Sequence, residues 1–377
     1  MLMTGARVFD PKMGFVSRDL SLQNGKIVPH CEGEVVDLSG CWVLPGLTDL
    51  HFHGCVGEDF SDGTPEGLQK MADYELSRGI TQICPSGMTL GEDTLTQVCR
   101  NAAAHKAKNT GGAELVGIHL EGPFLCQAKK GAQNADYLRD PDPAMLHRFQ
   151  EAAGGLVKLV TLAAEQPGSI QFIHSAEKDG VRVALGHTMA DYDTASAAFQ
   201  AGARQVTHLF NAMPPFTHRA PGVVGAAFDH PDVMVELICD GVHIHPSVVR
   251  AVFQLYGADR VILISDSLRA TGMPDGKYPF GGQEIVVKGN RATMADDPNT
   301  LAGSVSDLMA CVVTAVSFGI PLKDAVTAAA VNPAKALGIY DRVGSLDVGK
   351  EANLAVLNPD LSLKAVLFHG EVVSGQL

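Results

Sequence analysis

The sequence contains eight short apolar runs, and six of these eight end at a residue that can bind a metal or transfer a proton. A run of Val, Ile and Leu without alternation is typical of a strand buried on both faces, as in a parallel sheet. Helical stretches separate most of the runs. This alternation of strand and helix over roughly 250 residues predicts an α/β fold with a (β/α)8 TIM-like barrel. The runs lie near residues 46–51, 80–84, 115–120, 156–163, 181–186, 204–208, 233–239 and 260–265.

The two ends of the chain have a different pattern of apolar and polar residues. Residues 1–45 and 344–377 contain short alternating strands, with turns such as Asn24-Gly25. We expect these segments to pair into one small β-sandwich domain, because compact domains commonly bring their termini together. The barrel domain is then expected over residues 46–343. After its last strand we predict a loop with a hairpin, followed by helices over 305–318 and 322–337.

Composition restricts the partners of the chain. Its 377 residues carry a net charge of -13, which argues against nucleic acid or an anionic membrane surface as the main partner. No apolar stretch reaches about 18 residues, so no membrane span is expected. The eight cysteines are scattered and form no CxxC pair. We therefore expect reduced thiols and a cytoplasmic protein.

Histidines and a carboxylate at the ends of the runs predict a metal centre. His51 and His53 end the first run, and residues two apart in a strand point to the same side. Glu121 ends GIHLE, and a buried carboxylate needs a partner because burying an isolated charge is very costly. His187 and His208 end two later runs. With Glu121 they supply three ligands and leave one position for water, which is the pattern of a catalytic divalent site.

Other interpretations of these residues stay open. Glu121 could form a buried ion pair with Lys129 or Lys130, and the histidines could be core or capping residues. Asp266 ends the last run, RVILISD, where a carboxylate can take a proton from metal-bound water and return it to a leaving group. A helix N-cap is the alternative role for Asp266. Asp240, at the end of the preceding run, is assigned no chemistry.

The segments after the sixth and seventh runs predict a binding layer. The loop HLFNAMPPFTHRAPG carries Asn211, Ala212 and Arg219, and His243 follows in DGVHIHP. Arg219 and His243 can bind a phosphate or a carboxylate, the arginine through a bidentate fork. Plain exposure to solvent is the alternative for an arginine on a loop.

Several segments together resemble the amidohydrolase superfamily, and within it the deacetylases of amino-sugar phosphates. They span essentially the whole chain in the family order, and HLEGPF with HLFNAM is the most specific combination. The segments are PGLTDLHFHG, HLEGPF followed by KKGAQN, GHT, HLFNAM with THRAPG, DGVH, SD with ATGMPDGKY, and LAGS.

The resemblance implies roles for particular residues. Glu121, His187 and His208 would bind a metal ion, with Asp266 as the catalytic acid/base. His51 and His53 would bind a second ion with Glu121 and Asp266, so one or two divalent ions per subunit are expected, zinc or iron foremost. Substrate contacts are implied for Ala132, Gln133, Asn211, Ala212, Arg219, His243, Leu301, Ala302 and Gly303. Gln133 departs from the family pattern, because many members have a histidine there.

The resemblance also implies an activity and an assembly. The expected reaction removes the acetyl group from N-acetylglucosamine 6-phosphate and gives glucosamine 6-phosphate and acetate. A homodimer is expected, because in the family the Arg and His of the neighbouring subunit help to hold the phosphate. The alternatives are an amidohydrolase acting on N-acetylgalactosamine 6-phosphate or another amide, and a non-catalytic protein that binds sugar phosphates.

Overall fold

Parallel strands form the centre of the molecule. The computed structural model describes residues 1–108 and 111–377. The larger parallel sheet has seven strands in sequence order: Ser86–Gly87, Ile118–Glu121, Val157–Leu162, Arg182–Leu185, Gln205–Val206, Met234–Ile238 and Val261–Ile264. A second parallel sheet has the order Glu114–Leu115, Ile80–Ile83 and Leu47–Asp49. Each of the eight predicted runs therefore contains a strand, including the one at 156–163 whose composition also allows a helix.

Backbone hydrogen bonds join the two parallel sheets beyond the ends of their strands. The N–H of Asp266 donates to the carbonyl of His51 at 2.9 Å, which connects the last run to the first. The N–H of Ser86 donates to the carbonyl of Phe52 at 2.7 Å. Both bonds lie just beyond the carboxyl ends of the strands Leu47–Asp49, Ile80–Ile83 and Val261–Ile264, so these ends meet at one rim. That rim is where barrel enzymes carry their chemistry.

Helices follow the strands in most of the crossovers. The α-helices are Pro65–Ser77, Glu92–Lys108, Pro143–Ala152, Ser169–Lys178, Tyr192–Gln200, Gly222–Asp229, Pro246–Tyr256, Leu308–Ser317, Leu322–Val326 and Asn332–Ala336, and a π-helical segment spans Thr327–Val331. Short 3₁₀ turns span Phe60–Asp62, Gln127–Lys129 and Ala135–Tyr137. The helix predicted over 322–337 is thus interrupted by the π segment.

Side-chain caps begin several of the helices. Asp142 accepts from the N–H of Ala144 at 2.9 Å, and Asp307 accepts from the N–H of Ala310 at 2.8 Å. Such caps satisfy amide groups that have no partner within the helix. Asp307 also accepts from Nε of Arg78 at 2.7 Å, so its cap connects two helices.

The two ends of the chain meet in one sheet. This six-stranded sheet has the order Glu371–Gly375, Leu363–Phe368, Leu354–Leu357, Trp42–Pro45, Arg7–Asp10 and Gly14–Ser17. A four-stranded sheet has the order Lys26–Val28, Leu20–Gln23, Leu2–Thr4 and Val35–Asp37. In the first of these sheets Val43 pairs with Val356, so strands more than 300 positions apart are neighbours.

The loop after the strand Val261–Ile264 carries the predicted hairpin, extended by a third strand. The antiparallel strands are Gly276–Phe280, Gln283–Lys288 and Arg291–Met294, and a separate two-stranded hairpin joins Gly54–Cys55 and Glu58–Asp59. Phe280 brings the hairpin to the rim, with its ring centroid 5.8 Å from that of His53. None of the helices in the described residues has the length and apolar character needed to span a bilayer.

Candidate active site and metal centre

Six ionisable side chains converge at the rim, and none is more than 6% exposed. Glu121 is the last residue of its strand, and the other five lie just beyond the ends of theirs. Each side chain is thus positioned by a rigid strand rather than by a long loop. The six residues are His51, His53, Glu121, His187, His208 and Asp266.

Three of these residues have a backbone conformation that is unfavourable for residues other than glycine. The φ angles are 46° at His187, 26° at His208 and 48° at Asp266. Such left-handed conformations cost on the order of 1–3 kcal/mol each and persist only where the surrounding structure holds them. Strain of this kind often occurs at functional sites, because it fixes the direction of a side chain.

The carboxylate of Glu121 lies between two groups of ligand atoms. Its Oε1 is 3.1 Å from Nε2 of His187 and 3.0 Å from Nε2 of His208. Its Oε2 is 3.1 Å from Nε2 of His53, which in turn is 3.4 Å from Oδ1 of Asp266. Two sets of potential metal ligands result, with the ligand atoms of each set within 4.8 Å of one another: Glu121 with His187 and His208, and His51 with His53 and Asp266.

Hydrogen bonds on the far side of the rings orient three of the histidines. Nδ1 of His53 is 3.1 Å from the carbonyl of Ser86, and Nδ1 of His187 is 2.8 Å from the carbonyl of Lys129. A carbonyl only accepts, so Nδ1 of each ring carries a proton, and Nε2 is the nitrogen that faces the centre and can bind a metal when it carries none. Nδ1 of His51 faces the carboxylate of Glu236 at 2.8 Å, a carboxylate–histidine arrangement typical of metal ligands.

The arrangement of these atoms fits a divalent cation. The Nε2 atoms of His187 and His208 are 3.1 Å apart and both face the same carboxylate oxygen. Two ligands about 2.0–2.1 Å from a tetrahedral ion are roughly 3.3 Å apart, so the spacing suits such an ion. Nε2 of His51 and Oδ1 of Asp266 are buried without a hydrogen-bond partner. Buried polar atoms normally have partners, and a cation would satisfy both.

The charges of the site reinforce one another. Burial opposes ionisation of Glu121, but the nearby imidazoles of His51 and His187 outweigh it and hold the pKa of this carboxyl well below its ordinary value. Burial also opposes a charge on His53, but the neighbouring carboxylates of Asp266 and Glu121 raise its pKa to about 10. The partners of Glu121 are therefore histidines, and in the described chain it forms no ion pair with Lys129 or Lys130.

A cavity of about 580 Å³ opens above this centre. Its volume lies within the range of ligand sites, roughly 300–1,000 Å³. Eight of the nine predicted substrate contacts line it: Ala132, Gln133, Asn211, Ala212, His243, Leu301, Ala302 and Gly303. The ninth, Arg219, is exposed on its loop and does not line the cavity. Lys129 and Lys130 line the wall as well, although their side chains were not predicted as contacts.

His243 is held as a cation in the cavity wall. Its Nδ1 is 2.7 Å from Oδ2 of Asp240, and its Nε2 is 3.0 Å from the carbonyl of Ala302. Both partners only accept, so both ring nitrogens carry protons. Burial opposes this charge, but the bond to Asp240 outweighs it and raises the pKa of His243. Asp240, which had no role in the sequence analysis, thus controls the charge of His243.

Glu236 is a site residue that the sequence analysis missed. It lies within the strand Met234–Ile238, is fully buried, and also accepts from Nε2 of Gln205 at 2.5 Å. Its signal was a charged residue inside the otherwise apolar run VMVELIC. Such a residue needs a buried partner, here His51.

Comparisons with known proteins agree with this geometry. The chain matches the Amidohydrolase family over residues 42–373. It is 38% identical to an N-acetylglucosamine-6-phosphate deacetylase of Bacillus subtilis, over 88% of this chain and 84% of that protein. It is 32% identical to an N-acetylgalactosamine-6-phosphate deacetylase of Escherichia coli O157:H7, over 88% of each chain.

A solved structure extends the similarity to the whole chain. A variant of N-acetyl-D-glucosamine-6-phosphate deacetylase from Mycobacterium smegmatis, in complex with N-acetyl-D-glucosamine 6-phosphate, superposes with a TM-score of 0.93 at 35% identity. The match covers 99% of this chain and 99% of that one. The rim of ionisable residues on parallel strands defines a hydrolase with a metal centre. The chain belongs to the amidohydrolase family.

Proposed function

We propose that the chain is an N-acetylglucosamine-6-phosphate deacetylase of amino-sugar catabolism. The observation that carries this proposal is the placement of Glu121 between two groups of ligands at the floor of a cavity with a cationic wall. The named activity of relatives that match most of the chain supports it. The reaction is hydrolysis of the acetamide, which gives glucosamine 6-phosphate and acetate.

The residues of the centre would hold one or two divalent ions. Glu121, His187 and His208 form the first set of ligands, and His51, His53 and Asp266 form the second. Histidine nitrogen and carboxylate oxygen suit zinc or iron, and manganese or cobalt also fit such ligands. When bound, a divalent ion polarises the acetamide carbonyl and lowers the pKa of water.

Asp266 is the proposed catalytic acid/base. Burial opposes its ionisation, but the nearby imidazole of His53, whose Nε2 is 3.4 Å from Oδ1 of Asp266, outweighs it and lowers the pKa of this carboxyl. It is therefore ionised at neutral pH and can accept the proton of the water that attacks the carbonyl carbon. As the C–N bond breaks, Asp266 returns this proton to the departing amine. Acetate and the free amino sugar are the products.

The wall of the cavity supplies positive charge for an anionic substrate. The cation of His243 lines the same cavity as Lys129 and Lys130, and this local positive charge favours a phosphate despite the net charge of -13. Arg219 lies outside the cavity of its own subunit. We propose that it contacts substrate in the neighbouring subunit of a homodimer. An apolar groove near its loop, lined by Met213, Phe216 and other side chains, supports this assembly.

Acetate release from a panel of N-acetylated sugars tests the proposal. We expect turnover of N-acetylglucosamine 6-phosphate and little turnover of the sugar without phosphate. The galactosamine epimer belongs in the panel because one relative is named for it. Preferred turnover of that epimer would reassign the substrate, and no acetate release from any sugar phosphate would refute the proposed activity. Light scattering of the purified protein tests the dimer.

The complete architecture is part of the same proposal. We propose a closed (β/α)8 barrel over residues 46–343 and a β-sandwich formed by residues 1–45 and 344–377. The backbone bond from Asp266 to His51 supports closure of the barrel. The sheet shared by both chain ends supports the second domain. The absence of paired cysteines in the described residues fits the reducing cytoplasm that we propose as its location.

A further inference from the structure

The side-chain amide of Gln133 is buried between Glu121 and the backbone of Thr89. Its Nε2 donates to Oε2 of Glu121 at 2.5 Å, and its Oε1 accepts from the N–H of Thr89 at 2.8 Å. The residue is only 3% exposed. Both the oxygen and the nitrogen of the amide therefore already form hydrogen bonds with groups of the protein itself.

The partners determine which way the amide points. The N–H of Thr89 is a donor and has no lone pair to offer, so the atom facing it is the amide oxygen. The NH₂ group then faces the carboxylate of Glu121, which only accepts when ionised. A bond from an amide to a buried carboxylate is charge-assisted and stronger than one between neutral groups.

Three further bonds hold this arrangement in place. The N–H of Gln133 donates to the carbonyl of Lys130 at 2.9 Å, and Nε2 of Gln283 donates to the carbonyl of Ala132 at 2.7 Å. The hydroxyl of Thr89 donates to the backbone carbonyl of Glu121 at 3.2 Å. Thr89 thus contacts the main chain of Glu121 directly and its side chain through Gln133, which restricts rotation of the carboxylate.

The bond also distinguishes the two oxygens of Glu121. Oε2 receives the amide of Gln133, whereas Oε1 faces the Nε2 atoms of His187 and His208. We propose that Gln133 is a positioning residue, which turns Oε1 of Glu121 toward these histidines and strengthens metal binding there. The inference rests on the proposed metal centre. It differs from the role of a substrate contact that the family resemblance implies for this position.

Metal affinity of the full-length protein tests the inference. The purified protein is stripped with a chelator and titrated with Zn²⁺ or Co²⁺ against a chromophoric competitor. Gln133→Met keeps the length of the side chain and removes both hydrogen bonds. We expect the affinity to fall about 10–100-fold, as is usual when the partner of a metal ligand is lost. The absorption spectrum of the Co²⁺ form should change too, because the coordination geometry changes.

Two further variants make the result specific. Gln133→Asn keeps the amide but is one methylene too short to join both partners, so it should weaken binding as well, and it replaces Gln133→Met if that variant does not fold. Gln127→Met makes the same chemical change at an exposed position on the same cavity wall and should leave metal affinity unchanged.

A raised KM with unchanged metal affinity and an unchanged Co²⁺ spectrum in both Gln133 variants would show that Gln133 is only a substrate contact and would overturn the inference. If the wild-type protein releases no acetate but the variants still lose metal affinity, the proposed activity fails and the positioning role stands.

Discussion

At the scale of single residues, the site depends on hydrogen bonds that lie behind the reactive atoms. The carbonyls of Ser86 and Lys129 keep a proton on Nδ1 of His53 and His187, and the carboxylate of Glu236 does the same for His51. These hydrogen-bond partners lie next to the histidines in the folded protein but far from them in the sequence. For that reason the ligands themselves were predicted from the ends of apolar runs, whereas Glu236 was not.

Replacement of Asp266 by asparagine tests its role as the acid/base. Asp266→Asn keeps the shape of the side chain but cannot accept a proton, so kcat should fall by about 10²–10⁴. The variant should still hold an ion at Glu121, His187 and His208, because this set of ligands is intact. The measurements are steady-state acetate release and elemental analysis. An unchanged kcat would remove Asp266 from the mechanism.

Replacement of Asp240 tests the charge on His243. The bond to Asp240 raises the pKa of His243, so Asp240→Asn should lower that pKa. At pH 7–8 less of the imidazole is then protonated, and KM for the phosphorylated substrate should rise. At pH values below the lowered pKa of the variant the imidazole is protonated in both proteins, and the difference should shrink.

The pH profile of KM is the measurement for Asp240→Asn. A sugar substrate without phosphate is the matched control, because its KM should not respond to the charge on His243. Equal KM values for wild type and variant across pH 6–9 would show that His243 does not bind the phosphate.

At the scale of elements, the strands were predicted better than the segments that connect them. Non-alternating apolar runs are a strong signal for buried parallel strands, and each run contains one. The π segment at Thr327–Val331 has no comparable signal, since its alanines suit an ordinary helix. The position of the loop that carries Arg219 depends on tertiary contacts, so its residues alone did not show that Arg219 lies outside its own cavity, although the family resemblance implied an arginine from the neighbouring subunit.

The cap of the helix Leu308–Ser317 should contribute more to stability than an ordinary cap. Asp142→Ala removes a cap at an exposed position and should cost about 1 kcal/mol of unfolding free energy. Asp307→Ala also removes the charge-assisted bond from Arg78 and should cost about 2–3 kcal/mol. Urea unfolding followed by circular dichroism gives both values. Equal losses in the two variants would mean that the bond to Arg78 contributes nothing.

At the scale of the whole molecule, the sequence predicted the family and the parallel architecture, and the comparisons confirm the family. The prediction of the parallel architecture succeeded because each ionisable residue directly follows an apolar run in the sequence. Parallel strands then bring such residues together at one rim of the molecule. The bond of Gln133 to Glu121 could not be predicted, because it depends on how the turn Lys130–Gln133 packs against Thr89.

Removal of metal should lower the stability of the folded protein. The ligands come together only in the native state, so an ion at a free concentration of 100 times its Kd stabilises by about 2.7 kcal/mol. Treatment with a chelator should therefore lower the midpoint of thermal unfolding, and added Zn²⁺ should restore it. Glu121→Gln, which lacks the shared carboxylate, should respond much less to Zn²⁺. Identical midpoints with and without chelator would argue against a resident ion.

The pairing of the first and last segments in one sheet has a consequence for how the protein is made. Strand Trp42–Pro45 lies against Leu354–Leu357, which in turn pairs with Leu363–Phe368. During translation the early strands leave the ribosome long before their neighbours exist. At about 5–20 residues per second, some tens of seconds separate the two ends. During that interval the backbone N–H and C=O groups of Trp42–Pro45 that later pair with Leu354–Leu357 have no partner strand. We therefore expect this edge of the nascent chain to be a site of aggregation or chaperone binding.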